Sequence, residues 1–318
     1  MLKLLTRSAP GLRPVEAADL RLGDDAVWLD LHEPSRDEEL AAEQALGVLL
    51  PTREEMAEIE PSSRLYREGE ATVMIATVLI HSDTDRPTTT PVTFVLTGRR
   101  LVTIRYAEPK ALTAFAAHAE REPALAPDGA QTLVALLDAI VDRLADVMEH
   151  TSLEVEQASR AIFTRARGRI FEKIINRLGR AHIIDSKARD SLVSLARLVS
   201  YASLTGQIEA DPGCRERLKS LQRDIQSLTD HASYQSGNIT FLLDAALGLI
   251  NIEQNSILKV FSVFSLTFIP PTLIAGIYGM NFHHMPELDW RWGYPLALGL
   301  MVAAMATPLI FFRRRGWL

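Results

Sequence analysis

The stretch VFSVFSLTFIPPTLIAGI, Val260 to Ile277, decides the architecture of this chain, because it carries no charged residue. A second uncharged stretch runs from Trp292 to Phe312. Each is close to the roughly 20 residues that a helix needs to cross the hydrocarbon core of a bilayer. The pattern predicts two transmembrane helices, at about 257–278 and 292–312. A soluble protein with a buried helical hairpin is the alternative interpretation.

The charges that flank the two stretches indicate their orientation. Arg313 to Arg315 follow the second stretch directly, whereas the loop between the stretches holds Glu287, Asp289 and Arg291. Lys and Arg are enriched in cytosolic loops next to membrane spans. We therefore expect both ends of the chain in the cytosol and the protein in the inner (plasma) membrane.

The rest of the chain is polar, and its patterns change once along its length. Runs with strand character lie at 26–31, 71–80, 91–96 and 101–105, with short helices at 37–46 and 52–59. After Pro109 only helical patterns follow, and after Cys214 apolar residues recur at gaps of three and four, the period of a helix bundle. The sequence predicts an α+β membrane protein with a cytosolic α/β domain at 1–128, a long-helix stalk or funnel at 129–256 and a transmembrane pore domain at 257–318.

Composition excludes several classes of function. A formal net charge of −6 disfavours a nucleic-acid partner, and a single cysteine, Cys214, allows no intrachain disulfide and no cysteine-based metal cluster. No phosphate-binding glycine loop, nucleophile elbow or His-Glu-x-x-His helix is present. We expect no enzyme. A transporter would draw on the membrane potential, which is worth about 4.6 kcal/mol per 100 mV for a dication at roughly 2.3 per charge.

A set of short motifs surrounds the loop between the apolar stretches. Tyr278-Gly279-Met280-Asn281-Phe282 is followed by Met285-Pro286-Glu287-Leu288 and by Trp290-x-x-Gly293-Tyr294. This ordered set resembles the CorA family of magnesium and cobalt transporters. Further matches lie at Asn251 to Asn255 and Phe268 to Leu273, and a looser likeness extends over essentially the whole chain.

The resemblance implies a homopentameric funnel in which five copies of the first span line a pore and the second spans form an outer ring. It implies uptake of Mg²⁺, with Co²⁺ and Ni²⁺ as further cargo, through a channel that the membrane potential drives and intracellular Mg²⁺ gates. Independently of the family, two spans in one chain cannot enclose a polar path. The expected partners are therefore further copies of the chain, the lipid bilayer and divalent cations.

The resemblance also assigns roles to individual residues. Gly279, Met280 and Asn281 are expected to select the ion, with amide and carbonyl oxygens holding Mg²⁺ through its hydration water. Glu287 and Asp289 would concentrate cations at the outer mouth. One face of the first span would line the pore, and Phe261 on it matches the position of an apolar gate in the family. The other expected pore-lining residues are Asn255, Leu258, Ile269, Thr272 and Gly276. Ser262 and Ser265 share this face, but we expect them to pack helix against helix.

The regulatory metal site is expected between subunits. Asp224 and Asp230 on the long helix are the candidate ligands, with Glu68 or Glu70 as partners from the α/β domain. Two proline residues, Pro270 and Pro271, interrupt the first span, and either Thr267 or a rearranged turn is expected to compensate for their missing amide hydrogens.

Two other functions fit parts of the sequence. The first is a proton-coupled zinc transporter of the ZntB type, which shares the architecture; Met280 and the Met-Pro-Glu-Leu motif argue against it. His283 and His284 could bind Co²⁺, Ni²⁺ or Zn²⁺, although transport of a hydrated ion does not require them. The second is a membrane-anchored scaffold that conducts no ion, for which the Gly-Met-Asn loop would tolerate substitution.

Overall fold

The computed structural model describes residues 1–7, 9–58, 60–84, 86–164, 169–280, 285–286 and 289–316. These residues form two compact units. The first takes in the described residues up to 164 together with 172–243, and the second takes in 169–171 and 244–316. The first unit thus combines the region predicted as an α/β domain with most of the predicted stalk. The division at residues 128 and 256 stays a prediction.

A mixed sheet organises the first unit. Its strands follow the order β2-β1-β3-β7-β6-β5-β4, and every neighbouring pair is antiparallel except β3 and β7. The bounds are β1 Leu2–Thr6, β2 Ala9–Val15, β3 Ala26–His32, β4 Leu65–Glu68, β5 Ala71–Ile80, β6 Thr88–Thr97 and β7 Arg100–Arg105.

The four predicted strands are confirmed as β3, β5, β6 and β7, whereas β1, β2 and β4 were not predicted. The sequence of β2, APGLRPV, contains Pro10, Gly11 and Pro14, which normally argue against a strand. They are tolerated here because β2 is an edge strand, which pairs with β1 alone among the strands that the structure describes. The loop between β6 and β7 turns through Gly98 at a φ of 53°, a left-handed conformation that suits glycine.

The helices of the first unit come from two parts of the chain. The short ones before the β5–β6–β7 meander are α1 Arg36–Leu46, α2 Arg53–Met56 and α3 Pro61–Arg64. Those after it are α4 Lys110–Arg121, α5 Gly129–Phe163, α6 Arg169–Ala202, α7 Gly206–Ala210 and α8 Pro212–Tyr278, and α9 Gly293–Arg314 belongs to the second unit. Thr52 caps α2 through a reciprocal pair of hydrogen bonds with Glu55, and the helix ends at Met56, earlier than predicted.

Alternate residues of the strands point to two separate apolar cores. Val73, Ile75 and Val95 pack in a core that includes Ala42 of α1 and Met56 of α2. The intervening strand residues pack in the other, larger core with residues of α4, α5, α6 and α8, among them Trp28, Met74, Phe94, Leu112, Leu133, Leu192 and Leu221. Because both faces of the sheet are covered, the strands read as nearly continuous apolar runs in the sequence.

One buried carboxylate in α6 lowers the stability of the folded chain by an amount that depends on pH. The side chain of Asp185 is 2% exposed, and its Oδ1 atom accepts no hydrogen bond from the described residues. Burial raises the pKa of Asp185 to about 6 from its ordinary value of 3.8, opposed only in part by the positive charge of Arg189. The folded chain therefore retains a proton that the unfolded chain releases, so stability falls as the pH rises from about 4 to about 6.

Replacing Asp185 with Asn should stabilise the protein at neutral pH. Removal of the buried charge is expected to raise the free energy of unfolding by up to about 3 kcal/mol, at about 1.4 per pKa unit. Thermal unfolding of the full chain in detergent at pH 5 and pH 8 measures the effect, which should be larger at pH 8. Asp190→Asn, at an exposed position on the same helix, is the control. Equal effects of the two substitutions would contradict the conclusion that the buried charge of Asp185 destabilises the folded chain.

Candidate functional site

Helix α8 carries most of the residues to which the sequence assigns a role in the pore. It runs unbroken for 67 residues, a length of about 100 Å at 1.5 Å per residue. Among the described residues, α8 and α9 are the two helices long and apolar enough to cross a membrane. Helix α8 contains the first predicted span, and α9 contains the second except for Trp292, which precedes the helix. Most of their apolar side chains are exposed, including Phe261 at 67% and Ile269 at 62%. A soluble protein with a buried hairpin does not fit this exposure.

The predicted pore residues lie together on one face of α8. Successive residues of a helix are separated by about 100°, so the set from Asn255 to Gly276 occupies an arc of roughly 120°. Each of these positions is exposed in the single chain: Asn255, Leu258, Phe261, Ile269, Thr272 and Gly276. Between Leu258 and Tyr278, the two buried positions, Val263 and Thr267, lie on the opposite side of the helix. Four half-buried positions lie there too, Pro270, Pro271, Ile274 and Tyr278, whereas a fifth, Ser265, lies on the pore face. The six predicted pore positions thus lie on a face that the chain itself leaves largely uncovered.

A shallow apolar groove follows this face. Phe261, Ile269, Thr272 and Gly276 line it, and Met280 closes the set just beyond the end of the helix. The hydroxyl of Thr272 donates to the carbonyl of Phe268 at 2.7 Å, so its methyl group is the part that is free to contact another molecule. A surface of this kind offers few polar atoms, which is compatible with the predicted apolar lining of a pore.

The two prolines in α8 remove hydrogen-bond donors that Thr267 does not replace. Pro270 and Pro271 have no amide hydrogen, which leaves the carbonyls of Leu266 and Thr267 without their usual helical partners. The hydroxyl of Thr267 instead donates to the carbonyl of Val263 at 2.7 Å. Of the two expected compensations, the one by Thr267 is therefore wrong, because its hydroxyl reaches backwards along the helix and not towards the freed carbonyls. Compensation by a rearranged turn stays a prediction.

The helix ends where the Gly-Met-Asn motif begins. The amide of Gly279 donates to the carbonyl of Ala275 at 3.0 Å, and that of Met280 donates to Ile277 at 3.2 Å. A Cβ atom at Gly279 would lie only 3.1 Å from the oxygen of Ala275, so the turn favours glycine. Asn281, His283, His284 and Glu287 lie outside the described residues, and Asp289, in the outer loop, is exposed.

The candidate sensor residues are exposed on the part of α8 that belongs to the first unit. Asp230 accepts a hydrogen bond from Gln226 Nε2 at 3.0 Å. Asp224 belongs to an acidic group that includes three carboxylates of α5. Burial, followed by the charges of Asp138, Asp146 and Asp224, raises the pKa of Asp142. This proximity of α5 and α8 was missed by sequence reasoning, since no local signal reveals which helices are neighbours.

The single chain does not assemble a complete metal site in its described part. No group of three or more His, Cys, Asp or Glu side chains is placed there to hold a metal ion. Glu68 ends β4 and Glu70 follows in the turn before β5, and no contact joins either residue to Asp224 or Asp230 among the described interactions. A sensor site between subunits stays a prediction.

Comparison with known proteins gives the family. Residues 23–314 match the sequence profile of the family described as CorA-like Mg²⁺ transporter protein. The chain belongs to this family. The predicted CorA resemblance is confirmed, and this is a family of ion transporters and not of enzymes.

Two curated relatives are similar over nearly their full length. The CorA-like chain is 34% identical over 293 residues to the magnesium transport protein CorA of Haemophilus influenzae, with 92% of each chain covered. It is 34% identical over 294 residues to the CorA protein of Escherichia coli, again with 92% of each covered. The fold is similar to the complete structure of the CorA magnesium transporter from Methanocaldococcus jannaschii, with a TM-score of 0.76, 20% identity, and 100% and 99% of the two chains covered. The predicted fold class is confirmed for the single chain, an α/β domain followed by long helices and two apolar C-terminal helices, and the homopentamer stays a prediction.

Proposed function

We propose that this CorA-like chain carries Mg²⁺ across the inner (plasma) membrane into the cell as a homopentamer, with α8 of each copy lining a central pore. The observation that supports this most directly is the uncovered face of α8. It holds all six predicted pore positions and lies opposite Val263 and Thr267, the two positions of this segment that the chain buries. One face of one helix cannot enclose a path for an ion, so several copies of it must surround the axis.

Selection of the ion is proposed at Gly279, Met280 and Asn281. Mg²⁺ gives up its hydration water reluctantly, and amide oxygens can bind that water without replacing it. Co²⁺ and Ni²⁺ are included as further cargo because they also form octahedral hydrates. Glu287 and Asp289 would raise the concentration of cations at the outer mouth through their negative charge.

The driving force and the gate follow from the same arrangement. With both termini in the cytosol, the membrane potential supplies about 4.6 kcal/mol per 100 mV to an entering dication, from roughly 2.3 per charge. Leu258, Phe261 and Ile269 are apolar constrictions at which the pore closes by losing its water. Binding of cytosolic Mg²⁺ between subunits, with Asp224 and Asp230 as candidate ligands, would favour the closed state. The cytosolic domain at 1–128 and the stalk at 129–256 would transmit this signal to the pore domain at 257–318.

Rescue of a bacterium that lacks Mg²⁺ uptake tests the proposal. The wild-type chain should restore growth in low Mg²⁺, whereas Asn281→Ala should reduce uptake at least about tenfold. A tenfold reduction corresponds to a loss of little more than about 1 kcal/mol, which is what a typical hydrogen bond contributes. Every subunit of the proposed pentamer would lose one such bond. Asn176→Ala, at an exposed position of α6, is the matched control and should behave as the wild type.

Two outcomes of this experiment would contradict the proposal. Equal uptake by the wild type and Asn281→Ala would remove Asn281 from the selectivity site. Failure of both to restore growth, together with zinc flux into vesicles that contain the purified wild type, would favour a zinc transporter of the ZntB type. Membrane insertion of each variant is checked by its level in isolated membranes.

A further inference from the structure

A polar cavity lies in the first unit, at the part of β5 that β4 leaves unpaired. Strand β4 pairs with β5 only from Ala71 to Met74, so the edge of β5 beyond Met74 is free to meet another element. Helix α6 meets it there, and the amide of Thr77 donates to Ser194 Oγ at 2.9 Å. The cavity at this junction has a volume of about 420 Å³, and its polar lining consists mainly of Arg64, Thr77, Ser186, Arg189, Ser194 and Arg197.

The charges that line this cavity are unbalanced. Three arginines, Arg64, Arg189 and Arg197, face it with a single carboxylate, that of Asp190. None of the three guanidinium groups forms an ion pair with a carboxylate among the residues that the structure describes. Arg189 acts on the buried carboxylate of Asp185, whereas the charge that acts on Arg64 is that of Arg197. An anion that entered the cavity would therefore meet an excess of positive charge.

The guanidinium of Arg64 is held in place before any ligand binds. It is partly buried, its Nη1 donates to Thr77 Oγ1 at 2.9 Å, and its Nε donates to the carbonyl of Glu58. Burial and then the charge of Arg197 lower the pKa of Arg64, so these two like charges act on each other in the same cavity. Bringing positive groups together in a partly dry site costs free energy, and a bound anion offsets that cost.

The geometry points to a binding site for a small anion that bears a phosphate group. The planar fork of each arginine matches two oxygens of a phosphate, and the hydroxyls of Ser186 and Ser194 can donate to the remaining ones. The volume is within the range of about 300–1,000 Å³ that is usual for sites that bind small molecules, and it exceeds the needs of a single ion. The site binds an anion within the first unit, a function separate from the cation path proposed for α8.

Calorimetric titration of the full chain in detergent, without Mg²⁺, tests this site with inorganic phosphate and pyrophosphate as probes. The wild type should bind both and should bind pyrophosphate more tightly. Arg197→Gln should weaken binding by about 10- to 100-fold, which corresponds to the loss of charge-assisted hydrogen bonds. Arg197 is chosen because it is exposed, so its replacement should leave the fold intact, whereas Arg64 bonds to the backbone.

A matched control separates a built site from general attraction by positive charge. Arg215, Lys219 and Arg223 form a basic row on α8, and Arg223→Gln removes the same charge from that exposed row. This variant should bind phosphate as the wild type does. Arg197→Lys keeps the charge without the fork and should bind more weakly than the wild type but more tightly than Arg197→Gln.

Either of two results would overturn the inference. One is a wild type that fails to approach saturation at millimolar pyrophosphate. The other is an equal loss of affinity in Arg197→Gln and Arg223→Gln, which would show that the anion responds only to net charge. Circular dichroism and gel filtration of each variant establish that the fold is retained.

Discussion

A positively charged thiol reagent should block Mg²⁺ uptake almost completely when it reacts with Thr272→Cys, and should leave Thr267→Cys unaffected. The reagent adds a fixed positive charge to each copy of the proposed pore face. At an effective dielectric constant of about 20, two charges 4 Å apart repel by about 4 kcal/mol, so several such charges form a barrier that a dication cannot pass at a useful rate. Uptake should therefore fall by more than about 100-fold.

The two threonines form a closely matched pair. The hydroxyl of each donates to the carbonyl four residues earlier at 2.7 Å, so replacement by cysteine removes the same hydrogen bond in both. They lie five residues apart, which separates them by about 140° around the helix. Thr267 is only 4% exposed, whereas Thr272 is on the uncovered face. Their different response to the reagent would therefore report the face of α8 and not the chemistry of the substitution.

The native cysteine should not interfere with this measurement. Cys214 is buried, and burial raises its pKa to about 12, so almost none of it is the reactive thiolate at neutral pH. Cys214→Ala supplies a background in which this can be checked. Uptake is measured in cells or vesicles before and after treatment with a methanethiosulfonate that carries a quaternary ammonium group. Block through Thr267→Cys with no block through Thr272→Cys would reverse the proposed orientation of α8.

Features set by local sequence were predictable. The apolar, β-branched run of β5 and the Thr52–Glu55 pair that caps α2 each depend on residues close together in the chain, and both are confirmed. The face of α8 was predictable for the same reason, since the helical period fixes which positions lie on one side. The two charge-free stretches lie in the regions of α8 and α9, and the bounds of the spans stay a prediction.

Features set by tertiary neighbours were not predictable. Strand β2 contains prolines that are acceptable only because its outer edge has no partner strand, and the sequence does not show where the edge of the sheet is. The acidic group that joins Asp224 of α8 to Asp142 of α5 depends on the packing of helices far apart in sequence. The arginine cavity between β5 and α6 has the same origin, because its residues come from segments separated by more than a hundred positions.

Loss of the carboxylate of Asp30 should destabilise the first unit more than any other single change considered for it. Asp30 is 2% exposed and Arg105 is 5% exposed, and they form an ion pair of 2.9 Å between the parallel strands β3 and β7. Asp30→Ala leaves the guanidinium of Arg105 buried without its counter-charge. Removing one member of such a pair costs about 3–5 kcal/mol. Urea or thermal unfolding of the full chain in detergent measures this loss.

Asp83→Ala is the matched control, because it also breaks a 2.8 Å ion pair, with Lys110, but at a position where both side chains are more than half exposed. Water replaces the lost partner there, so the unfolding midpoint should hardly change. An equal effect of the two substitutions would show that Asp30 contributes no more than a surface charge.

A double substitution separates the worth of the pair from the cost of an orphaned charge. Asp30→Leu with Arg105→Met removes both charges and fills similar volumes with apolar atoms, so it should destabilise the protein less than Asp30→Ala alone. Some loss should remain, because the hydroxyl of Thr103 donates to Asp30 at 2.7 Å and accepts from Trp28 Nε1 at 2.9 Å, and it would lose its acceptor. If the double variant is instead less stable than Asp30→Ala, the ion pair itself stabilises the contact between β3 and β7. The loss in Asp30→Ala would then not be due to the unpaired charge of Arg105.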